Sequence, residues 1–142
     1  MNYGQHKLVF FLIIVSITVI SCKSAKNNSN AGTADARAAA LHVLSQFEAG
    51  EFSQIYKEAA PTFKEAGTES NFAAQFQKSL KKTGAFKNQK ESSAEARPDN
   101  TYVLTYRLEN EHFITDMHLT LTRSTSGKME LAGIYEHDEP KK

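Results

Sequence analysis

Apolar positions change their spacing along the chain, and the changes mark out its elements. From Ala34, the residues Ala36, Ala39, Ala40, Val43, Leu44 and Phe47 recur three and four apart, and Gly50 stands where a helix commonly stops. This spacing predicts a helix from about Ala34 to Ala49. Phe52, Ile55, Tyr56 and Ala59 again share one helical face, and Pro61 bars continuation, so a second, short helix ends near Ala60. Thr62 to Ala66 reads as a turn carrying Phe63. Thr68 or Ser70 then caps a third helix whose Phe72, Phe76 and Leu80 fall four apart, with Lys81, Lys82 and Gly84 suited to its end.

Beyond Gly84 the period drops to two. Tyr102, Leu104, Tyr106 and Leu108 face one way, and Thr105 and Arg107 the other, which predicts a half-buried strand. Phe113, Met117, Leu119 and Leu121 form the inward set of the next strand, and Met129, Leu131 and Tyr135 that of the last. Phe86 to Glu95 reads as a polar edge strand. The connections Asn110 to His112 and Ser124 to Lys128 are short and polar, which favours antiparallel hairpins. The expected fold is therefore α+β: three N-terminal helices packed on one face of a curved antiparallel sheet of about four strands. The domain is expected over residues 34–137, followed by a polar tail over residues 138–142.

The segment before this domain carries a different signal. Its first seven residues carry one basic side chain, Lys7, and no acid, and the apolar stretch from Leu8 to Ile20 has 13 residues, whereas a helix needs roughly 20 to cross a bilayer. That arrangement predicts an export leader rather than a permanent span. The stretch ends in Val19-Ile20-Ser21-Cys22, which resembles the bacterial lipobox, a branched aliphatic and a small residue before an obligatory cysteine. The resemblance implies a signal peptide over residues 1–21, cleavage between Ser21 and Cys22, and a diacylglyceryl group on the Cys22 thiol. Two chains, each gaining about 0.8 kcal/mol per buried CH2, anchor a protein far more firmly than one. The expected setting is the bacterial cell envelope, with the membrane as a partner through the lipid on Cys22. Lys23 follows where an inner-membrane retention signal would have Asp, which points to the outer membrane in a diderm source. Lys23 to Thr33 is small and polar, so residues 22–33 are expected to form a lipidated flexible tether reaching roughly 20 Å.

Composition narrows the rest. Removing the leader leaves 121 residues, enough for one modest core, and Cys22 is the only cysteine, so no internal disulfide can form. Without Lys7 the 17 basic side chains fall to 16, balancing the 16 acidic ones, and nothing suggests nucleic acid as a partner.

The helices-then-strands order, together with Phe47-Glu-Ala-Gly-Glu-Phe-Ser-Gln-Ile-Tyr56 and the Phe76 to Lys87 run through Leu80 and Gly84-Ala-Phe86, resembles a small bacterial family of cystatin-like domains. The resemblance spans about Ala34 to His137. It implies a helical half on a curved sheet, in the broad nuclear-transport-factor-like class, and its motifs are packing motifs that carry no activity across. The Gln-x-Val-x-Gly loop of cystatin inhibitors is absent from Cys22 to Lys142.

Candidate chemistry is sparse. Asp116 and His118 stand two apart in a strand and so share one face, where an acid-base pair is conceivable, but it is the face opposite the inward set. Tyr102, Tyr106 and Tyr135 are expected to point inward, as core rings or as hydroxyls in a cavity. His42, His112, His118 and His137 have no metal-ligand spacing, and no phosphate-cradling glycine loop, Gly-x-Ser-x-Gly elbow or His-Glu-x-x-His helix occurs, so no metal or cofactor is implied. The expected function is a non-enzymatic binding or assembly module, with an envelope protein, a small ligand or a second copy as partner. Ile114 and Ile134 are the expected binding residues on the open sheet face, among Val103 and Ala132. The alternative is a small pocket enzyme, hydrolase or isomerase, working through Tyr102, Tyr106, Asp116 or His118.

Overall fold

The computed structural model describes residues 24–142, with side-chain detail from Asn30 onward. Ser21 and Cys22, and with them the expected leader and lipidation site, lie outside the described residues. Among the described residues four helices precede four strands: α1 (Ser24–Glu48), α2 (Phe52–Glu58), α3 (Pro61–Glu65), α4 (Glu69–Thr83), β1 (Phe86–Ala96), β2 (Thr101–Asn110), β3 (Phe113–Arg123) and β4 (Met129–Pro140). The strands form one open antiparallel sheet in the order β1-β2-β3-β4, each joined to the next by a hairpin. The fold class is thus α+β, with a short fourth helix, α3, where a turn was expected around Phe63.

Apolar periodicity explains the core. Ala36, Ala40, Val43, Leu44 and Phe47 of α1, Phe52 and Ile55 of α2, and Phe72 and Phe76 of α4 join Tyr102, Leu104, Tyr106 and Leu108 of β2 and Met117, Leu119 and Leu121 of β3 in one buried cluster. Phe47 is at its centre, 1 % exposed, meeting Phe52 and Phe76 edge-on at 5.3 and 5.4 Å and stacking on Phe86 at 5.7 Å. Such pairings add to the roughly 1.5–3 kcal/mol that burying a large apolar side chain contributes. Thr68 caps α4, its hydroxyl accepting from the Asn71 amide at 3.3 Å. Gly84 ends that helix at φ 80°, against the Glu111 side chain, where an added Cβ would collide.

Three expectations need correction. First, α1 begins at Ser24, so residues 24–33 of the stretch read as a flexible tether are helical. Its Ser, Asn and Ala residues cost less than about 1 kcal/mol each in a helix, and they extend a helix already nucleated by the packed stripe from Ala36 to Phe47. Gly32 sits inside this extension because α1 there crosses the Tyr102 ring, and a Cβ at residue 32 would overlap the Tyr102 hydroxyl. Second, β4 continues through Pro140, so residues 138–140 are strand rather than tail. Asp138 pairs with Thr115 in the ladder, accepts from the Thr115 hydroxyl at 2.7 Å, and binds Lys82 at 2.9 Å.

The third correction concerns which way β4 faces. Leu121 pairs with Leu131, but Thr120 pairs with Gly133, so Ala132 is an extra residue forming a β-bulge. The alternation inverts there. Tyr135, expected inward, is 62 % exposed on the outer face, while Ile134, expected on the outer face, packs against the core beneath the helices.

Candidate functional site

The sheet divides the sequence-predicted site residues into two sets that never meet. Tyr102 and Tyr106 face the helices and are 6 % and 3 % exposed. The Tyr106 hydroxyl donates to Glu91 at 3.4 Å, and Glu91 is gripped by Arg37 through contacts of 2.9–3.1 Å. Burial first, and the Glu91 charge second, push the Tyr106 phenol up to about 12, so it is a protonated donor committed to Glu91. Glu91 in turn is held below the usual carboxylate range, chiefly by its hydrogen bonds from Arg37.

Asp116 and His118 lie on the other side, on the outer face, as their spacing requires. Each is half-buried and engaged by its neighbour on β2. Asp116 faces Arg107 in the ladder and accepts from its guanidinium at 3.2–3.3 Å; His118 faces Thr105, with Nδ1 2.9 Å from the hydroxyl. Ile114 occupies this outer face as expected, between Glu109 and Glu139, half-buried. Among the described residues no three His, Cys, Asp or Glu side chains converge as a metal site.

A concavity lined by aromatic rings lies elsewhere, between α2, α3, α4 and β4. It has a volume of about 250 Å³, and its apolar wall is built from Tyr56, Phe63, Phe72, Phe76 and Ile134. The helices set these rings against one another: Phe63 meets Phe72 edge-on at 5.2 Å, and Tyr56 lies 6.2 Å from each. Thr68, Asn71 and Gln75, all exposed, supply polar groups. The Tyr56 hydroxyl donates to the Gly67 carbonyl at 2.7 Å, closing the α3–α4 connection over one end. Phe72 and Phe76 were legible as a helix stripe and Ile134 was misplaced by the bulge. Phe63, an aromatic in a five-residue turn, was the one sequence signal for this cavity.

Two polar groupings flank the core. Glu58 accepts from Gln54 at 2.6 Å and Gln46 at 3.2 Å and lies 3.0 Å from His42 Nε2; the Gln54 bond above all lowers its pKa. Gln46 is 5 % exposed, and its Oε1 has no hydrogen-bond partner among the described residues. Between α4 and the sheet, Asn110 donates to Thr115, Thr115 to Asp138, and Lys82 to Asp138. Glu136, beside them, has its pKa raised by burial, opposed by a hydrogen bond from Ser79.

Comparison of the chain with protein-family models, with curated proteins and with solved structures gives no match.

Proposed function

We propose that the chain is a lipid-anchored module of the bacterial cell envelope that binds a partner or small ligand without transforming it. The likeness of Val19 to Cys22 to a lipobox supports the anchor, and Lys23 supports the outer membrane where the source has one. The helices-first, meander-after order supports the cystatin-like, nuclear-transport-factor-like class.

One observation carries the preference for binding over catalysis: the cavity beneath the helices is walled by aromatic and aliphatic side chains, and its one ionisable lining group, Tyr56, spends its hydroxyl on Gly67. Such a wall offers affinity for apolar surface and, in Thr68, Asn71 and Gln75, orientation, but no free acid, base or nucleophile. The candidates for a pocket enzyme, Tyr102, Tyr106, Asp116 and His118, do not gather at one site, since the tyrosines face the helices and Asp116 and His118 the opposite side of the sheet.

The test has two arms, both on the full chain. Metabolic labelling with palmitate is expected to mark the wild type and not Cys22→Ala, and membrane fractionation is expected to follow the label. A neutral apolar fluorophore, N-phenyl-1-naphthylamine, is expected to brighten on the wild type and not on Ala66→Trp, which fills the cavity from an exposed lining position. An unlabelled wild type defeats the anchor; equal brightening of Ala66→Trp defeats the cavity.

A further inference from the structure

The outer face of the sheet is polar, and its carboxylates, Glu95, Glu109, Asp116, Glu130 and Glu139, outnumber its cations, Lys90, Arg107 and Lys141, with His137 opposite Asp116. Arg107 lies 3.2 Å from Asp116 and 3.8 Å from Glu139, and Lys141 lies 2.9 Å from Glu109. Against this polar background stands one large exposed ring. Tyr135 is 62 % exposed, and its ring centre lies 5.8 Å from that of His118, tilted by 35°. His118 is itself pinned by Thr105. The bulge at Ala132 is what turns Tyr135 outward, and bulges often re-aim a side chain beside a functional site. Two residues before Tyr135 on the same face, Gly133 lies opposite Thr120, so the ring borders a spot where β4 bears no side chain and a threonine hydroxyl is at hand.

We propose that this face is a saccharide platform, in which Tyr135 stacks on the C–H face of a neutral sugar ring and His118, Thr120 and the Arg107–Asp116 pair meet its hydroxyls. The chemistry of the face selects this occupant. A nucleic acid or other polyanion requires a net positive field, and here carboxylates outnumber cations. A second copy or another protein requires a contiguous apolar centre depleted of charge. Ile134 has moved beneath the helices, and the remaining Val103 and Ile114 are separated by the Thr105–His118 and Arg107–Asp116 rows. A neutral polyhydroxyl ligand asks for what is present: an amphipathic ring beside fixed, planar donors and acceptors. This site lies on the opposite side of the sheet from the aromatic cavity and stands independently of it.

The experiment titrates the full chain, held in a detergent without sugar, with chitotetraose, cellotetraose and maltotetraose, followed calorimetrically. At least one tetrasaccharide is expected to bind the wild type. Tyr135→Ala is expected to weaken that binding at least about tenfold and Tyr135→Phe to keep it within about threefold, since the ring supplies the contact. Thermal melts check that both variants fold, as an exposed side chain allows. Binding of none of the three probes, or equal binding by folded Tyr135→Ala, overturns the proposal, while naphthylamine fluorescence reports the cavity separately.

Discussion

Arg37 on α1 and Glu91 on β1 form a forked ion pair: Nε reaches the two carboxylate oxygens at 3.1 and 2.9 Å and Nη2 reaches one at 2.9 Å. The pair joins the long helix to the polar edge strand, and Tyr106 approaches the same carboxylate from beneath. Because Glu91 is held below its ordinary value of 4.5, the folded chain carries stability that is present above that value and is lost as pH falls through the lower, folded pKa. Arg37→Met is therefore expected to lower the melting temperature near neutrality and to flatten the acid limb of its pH profile. The two proteins should converge once Glu91 is protonated in both, and parallel profiles would defeat this account.

Gly32 offers a test with the opposite sign to the usual rule. Glycine to alanine inside a helix normally stabilises by about 1 kcal/mol. Here the new Cβ would overlap the hydroxyl of Tyr102, a ring only 6 % exposed and so unable to swing aside. Gly32→Ala should lower the midpoint of urea unfolding, and adding Tyr102→Phe, which removes the overlapping oxygen but keeps the ring carbon Cζ 2.8 Å from the new Cβ, should recover only part of the loss. A stabilised single variant would show that α1 does not pack on β2 at this point.

These two contacts also show what a single sequence conveys. The stripe from Ala36 to Phe47 and the alternation from Tyr102 to Leu108 were legible because periodicity alone decides which side is buried. The outward placing of Asp116 and His118 was legible for the same reason, but their partners Arg107 and Thr105 depend on strand register, which no local pattern states. Ala132 is an ordinary residue in an ordinary strand, yet as a bulge it inverts every side chain after it, exchanging Ile134 and Tyr135 between core and surface. Extension of the strand over Asp138 was hidden because the charged residues that suggested a tail are satisfied there by Thr115 and Lys82.

Glu136 reverses the sign seen at Glu91. Burial raises its pKa above 4.5, with Asp138 adding to the rise, while Ser79 and Lys82 of α4 oppose it. A carboxyl of this kind contributes stability fully below the unfolded value, and that contribution is lost as pH rises through the folded pKa. Glu136→Gln, which keeps shape and a partner for Ser79 without the charge, should melt above the wild type at about pH 7. The advantage should vanish below pH 4.5, and a variant less stable than the wild type near neutrality would show that the charge is favourable where it lies.

Thr115 is the joint of the buried polar chain between α4 and the sheet. It is 2 % exposed, accepts from Asn110 Nδ2 at 2.7 Å and donates to Asp138 at 2.7 Å. Asn110 is 1 % exposed and, among the described residues, its Oδ1 has no partner and its side-chain amide bonds Thr115. Thr115→Val preserves shape and leaves Asn110 Nδ2 buried without an acceptor, which should cost about 1–3 kcal/mol in urea unfolding. Thr115→Ser keeps the hydroxyl and loses one methyl, so its cost should stay near 1 kcal/mol. In an Asn110→Leu background the donor that would be stranded is gone, and Thr115→Val should then cost much less than it does alone, since removing both partners of a buried hydrogen bond is nearly neutral. Additive losses in the double variant would mean that the Asn110–Thr115 bond contributes nothing to the fold, and that Thr115 acts only through Asp138 and Lys82.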